Sequence, residues 1–256
     1  MITKQCLIEE VQHLIEEYIL ELSSPIDSFL EEHIQASAFY MIKDGSQAVG
    51  YYAIHNNELL TQFYIRRSSQ MQSQWMFNHV IEHHACKSLF VPTCDELFLS
   101  LAIDKDFIIS KQAYFFQESH VDIPEIILDD DQFRIANMDD LAQIQQISGE
   151  FLDQYERRIA NGELFTYYRG NVLHGIGVIE KSKMFNDHAS IGMLTNEAYR
   201  KQGIGKSIIL LLRKWCRQQG IKPISGCWYY NEASKRTLES AGMVTKTRLL
   251  NIKVTT

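Results

Sequence analysis

The sequence predicts an α+β fold built from two segments of similar size, in which helices and strands follow the same order. The first observation is composition: 45% of the 256 residues are hydrophobic and 22% are charged, as in an ordinary globular protein. The second is that helix-type periodicity alternates along the chain with short strand-like runs. The third is that the order before Pro124 recurs after it, although the two segments share little sequence identity. The alternative is two unrelated α+β segments of similar size.

The first segment opens with an amphipathic helix, because apolar residues from Leu7 to Leu22 recur at helical spacing. Pro25 suits the start of a second, short helix over residues 26–36. Turn signals such as Asp44-Gly45 then separate strand-like runs. We expect strands at 38–43, 48–55, 59–65, 88–92 and 107–116, and helices at 73–86 and 95–103.

The second segment follows a polar boundary at Pro124 and Asp129-Asp130-Asp131. A helix begins near Met138, where acidic residues suit the positive end of the helix dipole. The other elements expected are strands at 133–136, 164–169, 172–181, 188–195, 223–229 and 243–253, and helices at 151–160, 204–219 and 232–240. These boundaries predict two domains, residues 1–125 and residues 130–256.

The charge of the chain does not suit a nucleic-acid partner. The 25 Lys and Arg residues stand against 32 Asp and Glu residues, a net charge of −7, and no basic block is present. No apolar run approaches the length of a membrane span, and the N-terminus lacks a signal-peptide pattern. Five scattered cysteines suit reduced thiols. We therefore expect a soluble cytoplasmic protein without a membrane partner. The sequence leaves a homodimer open.

The strongest signal for function is the segment YRKQGIGK at residues 199–206, between a predicted strand and a predicted helix. Gly203 and Gly205 allow the backbone to turn tightly and to approach a ligand. The N–H groups of the first helical turn point to the same place, and nearby basic side chains add positive charge. These features suit a pyrophosphate, although the spacing matches neither a Walker loop nor a dinucleotide fingerprint. The alternative is a glycine-rich helix start with solvated lysines.

Arg200-x-x-Gly203-x-Gly205 resembles the acyl-CoA-binding motif of the GNAT acetyltransferase family. The segment from Asn231 to Gly242 is similar to the strand–helix–strand element that follows in that family. The resemblance covers about half of the chain by motif and the other half by architecture alone. It implies tandem GNAT-like domains with a degenerate N-terminal copy. Each domain would have a three-layer α/β arrangement with a central mixed, mostly antiparallel sheet flanked by helices.

The resemblance implies acetyl-CoA as the co-substrate and no metal. The backbone of residues 193–195 would pair with the pantetheine arm, and the N–H groups of residues 202–207 would hold the pyrophosphate. The helix that begins near Asn231 would contact CoA close to its pantetheine. The cofactor-binding residues implied are Met193, Leu194, Thr195, Arg200, Lys201, Gln202, Gly203, Ile204, Gly205, Lys206, Ser207, Asn231 and Ser234.

One position departs from the family pattern. Members often carry a tyrosine as general acid for the departing CoA thiolate, and the matching residue here is Leu238, which has no proton to donate. Tyr229 and Tyr230 are the nearest substitutes in sequence, and we predict Tyr230 as the acid. Because a CoA thiol is a fairly good leaving group, loss of the acid would slow the reaction without preventing it.

The general base is predicted to be Glu197, which lies near the strand before the glycine loop. Asp187 and His188 are alternatives near the same strand. Surface solvation accounts for each of these three residues equally well. His79 and His83, spaced i,i+4 on a predicted helix, are a candidate metal pair, but a polar helix face is the better interpretation without a third ligand.

The first segment lacks the glycine loop, since Gln70 and Gln72 stand opposite Gly203 and Gly205. Their side chains would crowd a pyrophosphate, and no glycine there allows the tight turn. We therefore expect the first domain to pack against the second and to shape the acceptor pocket, without binding CoA in the same way.

The function predicted is transfer of an acetyl group from acetyl-CoA to a primary amine of a small molecule or peptide. A catalytically silent CoA-binding or protein-interaction module is the alternative, motivated by Leu238 at the usual tyrosine position. A third hypothesis is an aminoacyl-transferase relative acting on charged tRNA, and the net charge of −7 argues against it.

Overall fold

The structure, a computed structural model, describes residues 1–122, 124, 126, 128, 131–149 and 151–255. The predicted boundary signal at Asp129-Asp130 lies outside these residues. The chain divides into two compact units. The first unit comprises Met1–Phe115, Trp228–Tyr230 and Lys246–Thr256, and the second unit comprises Phe116–Cys227 and Asn231–Thr245.

Helices and strands alternate in the same order in the two halves of the chain, as the sequence predicts. The first half contains β1 (Ile2–Cys6), α1 (Gln12–Glu21), α2 (Ser28–Gln35), β2 (Ala38–Asp44), β3 (Gln47–His55), β4 (Leu59–Ile65), α3 (Ser73–His83), β5 (Ser88–Pro92), α4 (Glu96–Ile103) and β6 (Ile108–Glu118). The second half contains β7 (Asp131–Ile135), α5 (Leu141–Ser148), α6 (Tyr155–Ala160), β8 (Leu164–Arg169), β9 (Val172–Lys181), β10 (His188–Thr195), α7 (Ile204–Gln218), β11 (Lys222–Trp228), α8 (Glu232–Ser240) and β12 (Met243–Lys253). None of the described helices has the length and hydrophobicity needed to cross a membrane.

Two helices begin later than their apolar periodicity predicts. The first is preceded by a short 3-10 helix at Ile8–Val11 and by β1, which the periodicity does not predict. β1 forms because Ile2 to Cys6 pair antiparallel with β2, a partner distant in sequence. The helix expected from residue 151 begins at Tyr155 instead, since Gln154 has a left-handed backbone with φ of +51°.

The first unit is built on strands in the order β1-β2-β3-β4-β5-β12. Neighbours from β1 to β4 are antiparallel, whereas β4 and β5 are parallel. β12 runs antiparallel to β5, from Leu249 opposite Pro92 to Lys253 opposite Ser88. Phe63, Phe77 and Phe98 are buried in the core of this unit, where the rings of neighbouring pairs meet edge to face.

The second unit is built on strands in the order β7-β8-β9-β10-β11. The strands from β7 to β10 are antiparallel to their neighbours, and β10 and β11 are parallel. Its core is made by apolar residues of the sheet and of α5, including Ile144, Leu164 and Ile176, which are fully buried. The strand pairing in each unit is mixed and mostly antiparallel, and each unit contains helices, which confirms the predicted fold class.

In each unit the two parallel strands separate after a short paired stretch. β4 pairs with β5 as far as Leu60 and then continues to Ile65. β10 pairs with β11 as far as Ser190 and then continues to Thr195. Beyond these points the backbone edge that faces the neighbouring strand is not paired with it. Ligands of α/β sheets commonly bind at such openings, beyond the carboxyl ends of the strands. Each unit therefore has one opening of the kind where a ligand can bind.

Candidate active site

Two glycines open the start of α7, for different physical reasons. Gly203 is the residue before the helix and has φ of +83°, a backbone conformation that residues with a Cβ rarely adopt. Space is not the constraint here, because no neighbouring atom lies within 4 Å of the position that a Cβ would take. Gly205 needs space instead. A Cβ there would lie 3.2 Å from both Met193 Sδ and Thr195 Oγ1. The first glycine therefore sets the turn, and the second allows the helix to approach β10.

The N-terminus of α7 presents free hydrogen-bond donors. Ser207 is the first residue whose N–H bonds to the residue before the helix, donating to the Gly203 carbonyl at 3.0 Å. The N–H groups of residues 204–206 precede it and have no acceptor within the helix. Gly203 has no side chain that could cap them. Exposed basic residues at positions 200, 201 and 206 surround this turn, so the site suits an anion.

The loop before α7 is fixed to β9 by Asn196. Its backbone N–H donates to the His174 carbonyl at 2.9 Å, and its Nδ2 donates to the Leu173 carbonyl at 3.1 Å. Its side-chain oxygen accepts from Ala198 N at 3.2 Å. Tyr199 adds an aromatic contact, since its ring stacks on that of His174 with centroids 3.8 Å apart. These contacts hold both ends of the short turn Glu197–Tyr199.

A polar network lies at the base of the first turn of α7. The Tyr167 hydroxyl donates to Asp131 Oδ2 at 2.5 Å and also interacts with Ser207. Arg169 donates twice to the same carboxylate, at 2.8 and 2.9 Å. Burial, reinforced by Asp131, raises the pKa of Tyr167 to about 12, and the hydrogen bonds from Arg169 lower the pKa of Asp131. No sequence motif marks this network, because its members come from separate elements.

The backbone of residues 193–195 in β10, which the sequence predicts to contact a cofactor, is not paired with β11. Met193, Leu194 and Thr195 pair on their other side with β9, opposite residues 177, 176 and 175. All three are half-buried. The free edge offers backbone N–H and C=O groups at strand spacing, so an extended, amide-containing chain can lie there as a further strand would.

Asn231 and Ser234 meet at the start of α8, where the Asn231 side chain accepts a hydrogen bond from Ser234 N at 3.0 Å. Asn231 is exposed and therefore available to a ligand as well as acting as the helix cap. Leu238, the seventh residue of the same helix, is 2% exposed and belongs to the apolar interior. A leucine at this position packs and cannot take part in proton transfer.

The residues predicted for acid–base chemistry have different environments. Glu197 has an 85% exposed side chain paired with Arg200 at 3.0 Å. Asp187 lies 2.6 Å from His188 and 2.5 Å from Lys222, and burial lowers the pKa of His188. Tyr230 belongs to the first unit and is 60% exposed.

Tyr229 differs from its neighbour Tyr230. Its ring stacks on Tyr114 with centroids 4.6 Å apart, and the Lys111 ammonium lies 5.0 Å from its centre. A hydrogen bond with Tyr114, together with Lys111, lowers the pKa of Tyr229. A lowered pKa makes a phenol a better proton donor, so Tyr229 is a second candidate for the acid.

The histidines of α3 form an aromatic stack along one side of the helix. His79 and His83 lie with ring centroids 5.5 Å apart, and Trp75 stacks on the far side of His79. Among the residues that the structure describes, no group of three His, Cys, Asp or Glu side chains is placed to hold a metal ion. The contacts of the two rings are therefore explained by aromatic packing along the helix.

Comparisons with known proteins agree with this geometry. The profile described as "Acetyltransferase (GNAT) domain" matches residues 7–119, and the profile described as "Acetyltransferase (GNAT) family" matches residues 128–243. No curated protein sequence matches the chain.

Solved structures with the same fold cover nearly the whole chain. An acetyltransferase of the GNAT family from Colwellia psychrerythraea has a TM-score of 0.89 at 19% identity and covers 100% of both chains. A tandem GNAT protein of the clavulanic acid biosynthesis pathway has a TM-score of 0.68 at 10% identity, covering 99% of this chain and 98% of that one. A GCN5-related N-acetyltransferase from Sphaerobacter thermophilus has a TM-score of 0.67 at 11% identity, with coverage of 98% and 95%. With both halves matched by profiles of one family, the chain belongs to the GNAT acetyltransferases and carries two GNAT domains in tandem.

Proposed function

We propose that the domain of residues 130–256 transfers the acetyl group of acetyl-CoA to a primary amine of a small molecule or peptide. The domain of residues 1–125 is proposed to be a degenerate copy without the CoA motif. The observation that carries the proposal is the glycine-opened N-terminus of α7 beside the free edge of β10. No metal is part of the proposed reaction, and the free cysteines suit a cytoplasmic setting.

Acetyl-CoA fits this geometry in two parts. Its pyrophosphate would accept hydrogen bonds from the N–H groups of residues 202–206, with exposed Arg200, Lys201 and Lys206 adding positive charge. The Ser207 N–H, predicted for the same role, already donates to the Gly203 carbonyl. Its pantetheine arm carries amides, which would pair with the free backbone edge of Met193, Leu194 and Thr195. Asn231 and Ser234 would contact the cofactor from the start of α8.

The proposed reaction requires few side-chain groups. A neutral amine attacks the thioester carbonyl, and a backbone N–H can stabilise the oxyanion that forms. The carbon–sulfur bond then breaks, the amine loses a proton, and the CoA thiolate gains one. We propose Tyr230 as the donor to the thiolate and Glu197 as the acceptor of the amine proton through water. The exposure of both side chains makes them reachable by solvent.

A silent CoA-binding module is the second candidate. It is favoured by the burial of Leu238 and by the pairing of Glu197 with Arg200. Thiol release from acetyl-CoA across a panel of primary amines separates the two functions. Release with at least one amine supports transfer, whereas saturable acetyl-CoA binding with no release above the buffer rate supports the silent module.

The cofactor site itself is tested by the melting temperature with and without acetyl-CoA. We expect acetyl-CoA to raise it, and Gly203→Glu to abolish the rise, because the new carboxylate would lie at the pyrophosphate site. Gly170→Glu is the matched control, since Gly170 also has a positive φ of +55° with no atom within 4 Å of its Cβ position. No rise in the wild type at millimolar acetyl-CoA would refute the proposal.

A further inference from the structure

The first unit has its own cavity where β4 and β5 separate. Its volume is about 450 Å³, which is within the usual range for a small-molecule site. The inner wall includes Tyr18 of α1, Phe63 of β4 and Asp95, the residue before α4. Glu21 and Glu96 are exposed and lie at its rim. All of these residues belong to the first unit.

This cavity does not suit a CoA pyrophosphate. The turn between β4 and α3 is the 3-10 helix Arg67–Gln72, which contains no glycine. The residue before α3, Gln72, has an ordinary φ of −99° and carries a side chain where Gly203 has none. Gln70 lines the cavity itself. The ligand that this cavity accepts is therefore of another chemical class.

Asp95 is the polar group that gives the cavity its chemistry. Its residue is 6% exposed, and its Oδ1 accepts from Phe98 N at 2.9 Å as the cap of α4. Its Oδ2 has no hydrogen-bond partner among the described residues, and neither has the Tyr18 hydroxyl. The two groups interact without forming a hydrogen bond of normal geometry. A buried carboxylate oxygen without a donor is costly, and a ligand that donates hydrogen bonds would remove that cost.

The charges around the cavity favour a cation. The lining includes three carboxylates, those of Glu21, Asp95 and Glu96, against the single guanidinium of Arg67. Burial, with a smaller contribution from Glu21 and Glu96, disfavours the charged form of Asp95 in the empty cavity and raises its pKa to about 7. A bound cation would reverse that effect by pairing with the carboxylate.

Aromatic side chains complete the wall. Tyr18, Phe63 and Tyr64 all line the cavity and are buried. Tyr18 and Tyr64 meet edge to face, with centroids 6.0 Å apart. Aromatic faces attract ammonium groups and also pack against the methylene groups of an aliphatic amine.

We propose that this cavity binds a small aliphatic amine that carries a primary ammonium group and no carboxylate. The Asp95 Oδ2 and Tyr18 hydroxyl oxygens have almost no accessible surface in the empty cavity, so ligand binding requires these two side chains to turn toward it. The ammonium then donates to Asp95 Oδ2 and to the Tyr18 oxygen, and the methylene chain packs on the aromatic wall toward the rim carboxylates. This site goes beyond the proposed acetyl transfer, since it lies in the first unit and needs no acetyl-CoA.

The test is calorimetric titration of the full chain with n-butylamine in the absence of acetyl-CoA. We expect saturable binding of butylamine at millimolar concentration and none of n-butanol or butyrate. Asp95→Asn should weaken butylamine binding by about tenfold or more, because one charge-assisted hydrogen bond is lost. Asparagine is itself a good helix cap, so this variant should keep the Phe98 contact and the fold.

Two further variants keep the proposal falsifiable. Tyr18→Phe removes the hydroxyl and keeps the ring, and should also weaken butylamine binding. Asp27→Asn is the matched control, since Asp27 is a buried cap of α2 in the same unit and does not line the cavity; butylamine should bind this variant as it binds the wild type. Equal affinity for butylamine and butanol, unchanged affinity in folded Asp95→Asn, or no binding to the wild type would overturn the proposal. None of these outcomes depends on whether the second unit transfers acetyl groups.

Discussion

The ring of Tyr199 lies flat on the imidazole of His174, with 3.8 Å between ring centroids and 5° between planes. Tyr199 is in the turn before the glycine loop, and His174 is the extra residue of an irregularity in the pairing of β8 with β9. His174 is 5% exposed, and burial lowers its pKa. The stack therefore joins a neutral ring of the sheet to the loop that would hold the cofactor.

Loss of this stack should weaken acetyl-CoA binding. Tyr199→Ala removes an aromatic contact worth about 0.5–1.5 kcal/mol, so we expect the Kd for acetyl-CoA to rise about two- to tenfold, measured by titration calorimetry. Tyr199→Phe keeps the ring and should bind like the wild type. Equal Kd values for the alanine and phenylalanine variants would show that the stack does not position the loop.

The two glycines of the loop should respond differently to substitution. Gly203→Ala places a Cβ at positive φ and should lower the free energy of unfolding by about 1 kcal/mol or more, whereas Gly203→Asn should lower it less, because asparagine tolerates this conformation. Gly205→Ala instead pushes against Met193 and Thr195 and should raise the Kd for acetyl-CoA by moving α7 from β10. Urea denaturation and calorimetry separate the effects, and a Gly203→Asn variant as unstable as Gly203→Ala would contradict the conformational account.

Tyr230 and Tyr229 compete for the role of general acid, and kinetics can distinguish them. If Tyr230 protonates the thiolate, Tyr230→Phe should lower kcat by about tenfold or more while the KM for acetyl-CoA stays unchanged, and Tyr229→Phe should have little effect. The reverse pattern would assign the role to Tyr229, whose pKa is lowered by Tyr114 and Lys111. If neither variant changes kcat, water protonates the thiolate.

Asp95 gives the first unit a pH-dependent stability whose sign follows from its pKa. The folded pKa is raised from 3.8 to about 7, first by burial and then by Glu21 and Glu96. At pH values between 3.8 and about 7, the Asp95 carboxyl group therefore takes up a proton when the chain folds. The contribution of Asp95 is fully present below its unfolded pKa and is lost as the pH rises through the folded pKa.

Asp95→Asn removes this dependence. Relative to the wild type, the variant should gain stability when the pH rises from about 5 to about 8, because only the wild type then holds a buried charge. The measurement is urea denaturation of the variant and the wild type at both pH values without amine. A parallel pH response of Asp95→Asn and the wild type would contradict the raised pKa.

A buried ion pair in the second unit should dominate its stability. Arg213 is 1% exposed and donates to Glu118 and to the Ala241 carbonyl. Glu118→Gln leaves this guanidinium without its carboxylate and should lower the free energy of unfolding by about 3 kcal/mol. Glu197→Gln breaks only an exposed pair and should change it by less than about 1 kcal/mol. A similar decrease in the free energy of unfolding for both variants would show that burial does not determine how much an ion pair contributes to stability.

Much of the proposed cofactor site is local and could be predicted from the sequence. The positive φ of Gly203, the start of α7 and the cap at Asn231 each depend on a few consecutive residues, and the two segments that contain them resemble motifs of one family. The order of helices and strands is also local, since it follows from hydrophobic periodicity. β1 is the exception, because it is a strand only through its pairing with β2.

The sequence alone determined the family, the fold class and the glycine loop, because backbone conformation and periodicity are encoded by neighbouring residues. The tertiary structure decided which distant residues meet. It joined Tyr167 to Asp131, placed the end of β12 beside β5, and enclosed Asp95 with Tyr18 in a cavity. These contacts join residues that are tens to more than a hundred positions apart in the sequence. Only the packing of the whole unit determines that such residues meet.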